Sequence, residues 1–117
     1  MQLGDGDTMN QTNLDTGVAV NLVWTNIPGA GADDEYLGYR AGGVNTRLML
    51  IFGPHTISVA VDLATNTYRV SVDGSPVGPV IPFTSPVDID TVRFVSHQMP
   101  PARFSGRTFD DVTISVP

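Results

Sequence analysis

The sequence predicts a single all-β domain, a two-sheet antiparallel jelly-roll sandwich. Three observations carry this. Short segments of alternating apolar and polar residues recur along the 117 residues, the period-two signature of half-buried strands. The 12 Gly and 9 Pro are spread along the chain rather than clumped, so they punctuate short elements instead of forming a linker. Only 15% of the residues are charged, against about 25% in a typical soluble domain, which leaves little material for amphipathic helices. The length suits one domain with one core.

Residues 1–16 are rich in Asp, Asn, Thr and Gly and are expected to form a polar N-terminal arm; residues 17–117 are expected to form the sandwich. In residues 18–24, Val18, Val20, Leu22 and Trp24 share one parity, which makes one strand face apolar and assigns Trp24 to the core. Pro28, Gly29 and Gly31 mark a loop over 26–34. Residues 35–41 form a short strand with Tyr36 and Tyr39 on opposite faces, and Gly42-Gly43 turns the chain. Residues 46–52 are apolar on both parities, which predicts a central strand covered on both sides.

Gly53-Pro54 breaks that run. Residues 55–64 alternate cleanly, with Ile57, Val59, Val61 and Leu63 on one side. A turn over 64–67 leads to Tyr68, Val70 and Val72 on the apolar face of the next strand. Asp73-Gly74 is the strongest hairpin signal, because a two-residue turn requires positive φ at both centres. Pro79 and Pro82 within 77–83 cannot donate to a ladder, so that segment is an edge or irregular strand. Residues 87–96 predict a strand with a bulge, since Ile89 and Val92 break strict alternation. Pro100-Pro101 places a loop at 98–107, and 108–116 is the closing strand, with Val112, Ile114 and Val116 facing inward.

Charge excludes several functions. The net charge is −6, and all six basic residues are scattered arginines (Arg40, Arg47, Arg69, Arg93, Arg103, Arg107). Nucleic acid calls for clustered basic residues, and an anionic membrane surface repels such a chain. No apolar run approaches the roughly 20 residues of a membrane span, so no membrane insertion is expected. Without Cys there are neither disulfides nor thiolate metal sites. The first seven residues lack the basic start and apolar core of a signal peptide.

Residues 57–74 read Ile-Ser-Val-Ala-Val-Asp-Leu-Ala-Thr-Asn-Thr-Tyr-Arg-Val-Ser-Val-Asp-Gly. This resembles the central hairpin of concanavalin A-like lectin/glucanase domains, the laminin G-like and pentraxin-like jelly rolls. The stretches Val-Asp-Ile-Asp-Thr-Val-Arg-Phe at 87–94 and Phe-Asp-Asp-Val-Thr-Ile at 109–114 are similar to the last strands of such domains. The resemblance covers mainly residues 55–116 and rests on framework motifs, so it speaks to fold more than to ligand. Such domains are usually longer. The chain is then a minimal or trimmed version, or an assembly subunit whose sheet is completed by a neighbour at an open edge.

The glucanases of that superfamily carry a Glu-x-Asp-x-x-Glu strand, whereas this chain has a single glutamate, Glu35. Glycoside hydrolysis needs two carboxyl groups about 5–9 Å apart, and the family motif is absent, so no catalytic residues are assigned and the chain is expected not to be an enzyme. The two histidines, His55 and His97, sit in no nucleophile motif. The resemblance implies a structural calcium at Asp110, on the buried parity of the closing strand, with oxygens from Asp5 and Asp7 of the arm; the alternative for Asp110 is a carboxylate bonded to nearby backbone N–H groups.

Aromatic faces flanked by planar polar side chains suit sugars. Tyr36, Tyr39, Arg40, Asn45 and Arg103, with His97 at a loop rim, are the candidate ligand-binding residues; one tyrosine is expected to be exposed, and Gly38 and Gly42-Gly43 to leave room for a ligand. The expected function is a non-catalytic carbohydrate-binding or adhesion module, extracellular or at the cell surface. The partner is a glycan or another surface protein. The alternatives are a self-assembling surface subunit, such as a filament, coat or capsid-decorating protein, and a relative of a glycan-cleaving enzyme. A homo-oligomer through an open sheet edge is also expected.

Overall fold

The computed structural model describes residues 1–9, 15–26, 35–95 and 113. The described chain is all-β and builds two antiparallel sheets from eight strands: β1 (Gln2–Gly4), β2 (Val18–Asn26), β3 (Glu35–Ala41), β4 (Val44–Leu50), β5 (Ile57–Asp62), β6 (Thr67–Val72), β7 (Ser75–Pro82) and β8 (Thr91–Arg93). One sheet has the order β4-β3-β2-β1-β8, and the other is the meander β5-β6-β7. The core lies between them. Val20, Leu22, Leu37 and Ile51 from the first side meet Tyr68, Val70, Val72 and Ile81 from the second.

The turns follow from local chemistry. Asp73 and Gly74 have φ of 51° and 83°, the paired positive values of a tight hairpin, and β6 and β7 pair directly across them, Val72 opposite Ser75. Between β5 and β6, the Asp62 carboxylate accepts the backbone N–H groups of Ala64 (2.9 Å) and Thr65 (3.2 Å), so the side chain shapes the turn.

Four expectations need correction. Gln2–Gly4, read as part of the arm, is a strand inserted between β2 and β8; three residues are too few to show a period. Residues 46–52, read as a central strand covered on both sides, belong to β4, which ends the five-stranded sheet and leaves Leu50 48% and Phe52 55% exposed. The physical reason is a bulge: Leu37 faces Met49 but Gly38 faces Arg47, so Leu48 is an extra residue. An extra residue resets the side-chain alternation, and the apolar run on both parities reflects that slip. Among the described residues of that stretch, 87–95, only Thr91–Arg93 is strand. There Asp90 N donates to Gly4 O at 3.1 Å, and its Oδ1 accepts Gly6 N–H (2.8 Å) and the Thr91 hydroxyl (2.8 Å), so side-chain bonds add to the last backbone contact with β1. Finally, neither tyrosine of β3 is exposed: Tyr36 is 8% exposed and Tyr39 is half-buried against the core. The predicted closing strand 108–116 lies outside the described residues.

Candidate functional site

On β2 and β3 the residues facing the core are Val20, Leu22, Trp24, Leu37 and Tyr39. Alternation therefore turns Asn21, Arg40 and their neighbours to the outer face of the five-stranded sheet. Register aligns these residues across all five strands. Asn45 on β4 is opposite Arg40 on β3. Leu22 is opposite Tyr39, which sets Asn21 beside Arg40. Gln2 on β1 is opposite Asn21 on one side and Arg93 of β8 on the other. The result is a row of planar polar side chains: Asn45, Arg40, Asn21, Gln2, Arg93.

Hydrogen bonds stitch the row together. Arg93 Nε donates to Gln2 Oε1 at 2.8 Å. Asp15, from the turn before β2, accepts on one oxygen from Arg40 Nε at 3.1 Å and from Asn21 Nδ2 at 3.4 Å. Arg40 Nη1 donates to Asn45 Oδ1 at 3.4 Å. The backbone beneath is also fixed, because the Thr84 hydroxyl donates to Arg40 O (3.1 Å) and Thr84 N to Ala19 O (2.8 Å). Gln2 and Asn21 are only 4% and 3% exposed, whereas Asn45 is exposed and Arg40 half-buried. The accessible part of the row is thus its β3–β4 corner. Arg47, opposite Gly38, adds an exposed guanidinium to that face.

Of the residues singled out in the sequence, Arg40 and Asn45 come together. Tyr36 shares their face, but its ring folds over Gly38: a Cβ at Gly38 would stand 3.0 Å from Tyr36 Cε2 and overlap the backbone oxygen of Thr46. The room expected at Gly38 is therefore filled by the protein itself. Tyr39 lies on the opposite, core-facing side. His97, Arg103 and Asp110 lie outside the described residues. Asp15 was missed; it sits in the stretch read as an arm, and nothing local to it signals a guanidinium 25 positions away. Trp24 is at the core as expected, with its Nε1–H donating to Glu35 Oε2 at 2.8 Å.

The corner's chemistry is that of recognition. A guanidinium held by a carboxylate and a carboxamide has little rotamer freedom left to lose on binding. It retains Nη donors, and Asn45 retains its amide donors. Such forks match adjacent hydroxyl groups or a carboxylate on a ligand.

His55 is committed elsewhere. Its Nδ1 contacts Asp73 Oδ2 at 2.6 Å and its Nε2 contacts Phe52 O at 2.6 Å. Both partners are acceptors, so the geometry selects the imidazolium, and the Asp73 carboxylate with the Phe52 carbonyl raises the His55 pKa. The His55 proton in turn holds Asp73 below the usual carboxylate range, helped by Thr56 N–H. Asp5 Oδ1 accepts the Asp7 N–H at 3.0 Å, and Gly6 N–H with the Thr91 hydroxyl lowers the Asp90 pKa. Among the described residues no three acidic or imidazole side chains converge on one point. A shallow depression of about 240 Å³ between Ala60, Asp62, Thr67, Arg69 and Val80 marks the outer face of the smaller sheet; drug-sized pockets start near 300 Å³.

Comparison with protein-family models, with curated proteins and with solved structures finds no match.

Proposed function

We propose that this chain is a non-catalytic carbohydrate-binding or adhesion module, a concanavalin A-like jelly roll working outside the cell or at its surface. It contacts sugar through the Arg40–Asn45 corner of the five-stranded sheet. The observation that carries the reading is the aligned polar row. Five planar side chains stand in register on one sheet face, Arg93 bonded to Gln2, and Asn21, Arg40 and Asn45 linked through Asp15 and one another, and the row opens to solvent where Arg40 meets Asn45. Burying such groups is unfavourable unless they are satisfied, so a pre-set hydrogen-bonding surface is a costly feature for a small core. Arg47 extends it with a second guanidinium, which favours sugars bearing a carboxylate or sulfate even though the net charge of the chain is −6. The calcium expected at Asp5, Asp7 and Asp110 belongs to the same reading.

A glycan array probed with and without calcium tests it. Binding with Kd of about 1 mM or tighter, roughly −4 kcal/mol, is expected for a subset of glycans. Arg40→Ala and Asn45→Ala should each weaken it about tenfold. The melting temperature should move less than about 5 °C, because a pair this open to solvent contributes about 1 kcal/mol. If no sugar binds at millimolar concentration under either condition, the reading is overturned. Release of reducing sugar from polysaccharides would overturn its non-catalytic part.

A further inference from the structure

Among the described residues four strands end the two sheets, and they are protected unequally. In β7, Pro76, Pro79 and Pro82 each remove a backbone donor, and the strand bulges between the pairs Tyr68–Ile81 and Val70–Val77. The bulge of β4 leans on that of β7, since a Cβ at Gly78 would overlap the Leu48 side chain, so these two edges close on each other. β8 has only three residues. These are the ordinary ways of blunting an edge.

β5 has none of them. Its sequence is Ile-Ser-Val-Ala-Val-Asp, without Pro, Gly, Lys or Arg, and its register with β6 is unbroken over six residue pairs. Among the described residues it pairs with β6 alone. Its core-facing side is also only partly covered. Ile57, Val59 and Val61 are only half-buried, while Tyr68, Val70 and Val72 on the same face of β6 are 1%, 0% and 6% exposed. Leu63, just beyond the strand, is 64% exposed. An unpaired ladder and an open apolar row therefore run along the same edge.

We propose that β5 pairs antiparallel with β5 of a second copy of this chain, across a two-fold axis, joining two three-stranded sheets into one of six strands. The strand is its own complement. In a two-fold antiparallel pair the numbers of opposed residues have a constant sum, and an even sum keeps both apolar rows on the core side. Registers centred on Val59 or on Ala60 meet that condition and set valine against valine or isoleucine. Charge also permits it. Asp62 is the only charged residue of β5. In the register centred on Ala60, the two Asp62 carboxylates stand four residues apart along the sheet, roughly 13 Å, beyond the Debye length of about 8 Å at physiological salt. Arg69, opposite Ala60 on β6, offsets Asp62, so the contact face is near neutral on a chain of net charge −6. Six residues per copy make a small interface, and association should be weak and concentration-dependent. This contact involves the smaller sheet and is independent of the Arg40–Asn45 corner.

Light scattering from the full chain tests it, between about 10 µM and 1 mM, a range set by weak association. The mass is expected to rise from 12.5 kDa toward twice that value. Ala60→Lys places a cation on the exposed face at the two-fold axis and should keep the chain monomeric throughout, with an unchanged melting temperature in dilute solution. Amide exchange in β5 should slow with concentration in the parent chain only. A parent chain that stays at the monomer mass, or an Ala60→Lys chain that associates equally well, overturns the proposal. So does protection of the β5 amides that ignores concentration, because a segment of the same chain would then occupy the edge.

Discussion

In the five-stranded sheet β2 is covered on both faces: Val18, Ala19 and Val20 are fully buried and Asn21 is 3% exposed. In the three-stranded sheet one face is bare. Arg69 is exposed between the buried Tyr68 and Val70, and β5 is half-open even on its core side. Where both faces are covered, buried polar groups find partners inside the protein, Gln2 accepting from Arg93 and Asn21 donating to Asp15, and there the polar row lies. Where one face is bare, the sheet holds no such row and offers an edge instead. The larger sheet thus presents polar side chains, the basis of the proposed recognition, and the smaller one presents backbone at an edge, the basis of the proposed association.

Truncation in the two sheets should cost different amounts. Leu37→Ala, at 2% exposure, should lower stability by about 3 kcal/mol in denaturant melts, as for other fully buried leucines. Val59→Ala on half-open β5 should cost under about 1 kcal/mol in dilute solution, because less apolar area is buried there. Equal losses at the two positions would erase the contrast.

Tyr68 sharpens it from within the core. The side chain is 1% exposed and its hydroxyl has no hydrogen-bond partner among the described residues; burial pushes its pKa well above the usual tyrosine value. A buried unsatisfied hydroxyl costs about 1–3 kcal/mol. Tyr68→Phe is therefore expected to stabilise the chain by about 1 kcal/mol in the same melts, where most core substitutions destabilise.

The smallest effect is expected at the His55–Asp73 contact, which ties the connection after β4 to the β6–β7 turn. The His55 pKa is raised above 6.5, so its contribution is complete below pH 6.5 and fades as pH climbs through the raised value. The Asp73 pKa is lowered from 3.8, so its contribution is complete above pH 3.8 and fades as pH falls through the lowered value. Together they favour the fold most between about pH 4 and 6.5. The His55 ring protons, followed by NMR, should titrate with a midpoint above 6.5. Asp73→Asn should bring that midpoint down.

The smaller sheet was legible because its physics is local. Alternation at 57–63 and 68–72 reports one bare face, Asp73-Gly74 forces a tight turn, and the prolines of β7 require an edge. β3 was bounded at 35–41 by the Gly42-Gly43 turn on one side. The larger sheet was harder to read. The Leu48 bulge made an edge strand look like a central one, and β1 is too short to show a period. At the candidate site Arg40 and Asn45 could be named as types that suit sugar, but not as a pair. Their meeting depends on the β3–β4 register, and Asp15 joins them only through tertiary structure. Tyr36 and Tyr39 misled because residue type suggested exposure while position on β3 buries Tyr36 and half-buries Tyr39.

The assignment of recognition to the larger sheet is tested most directly by an ¹⁵N-resolved NMR titration with the strongest glycan from the array, following backbone amides together with the Arg40 Nε–H and Asn45 Nδ2–H resonances. Shifts centred on Arg40, Asn45, Asp15 and Arg47, saturating with one affinity, are expected. Shifts centred on β5–β7 with the Arg40–Asn45 corner unmoved would contradict it.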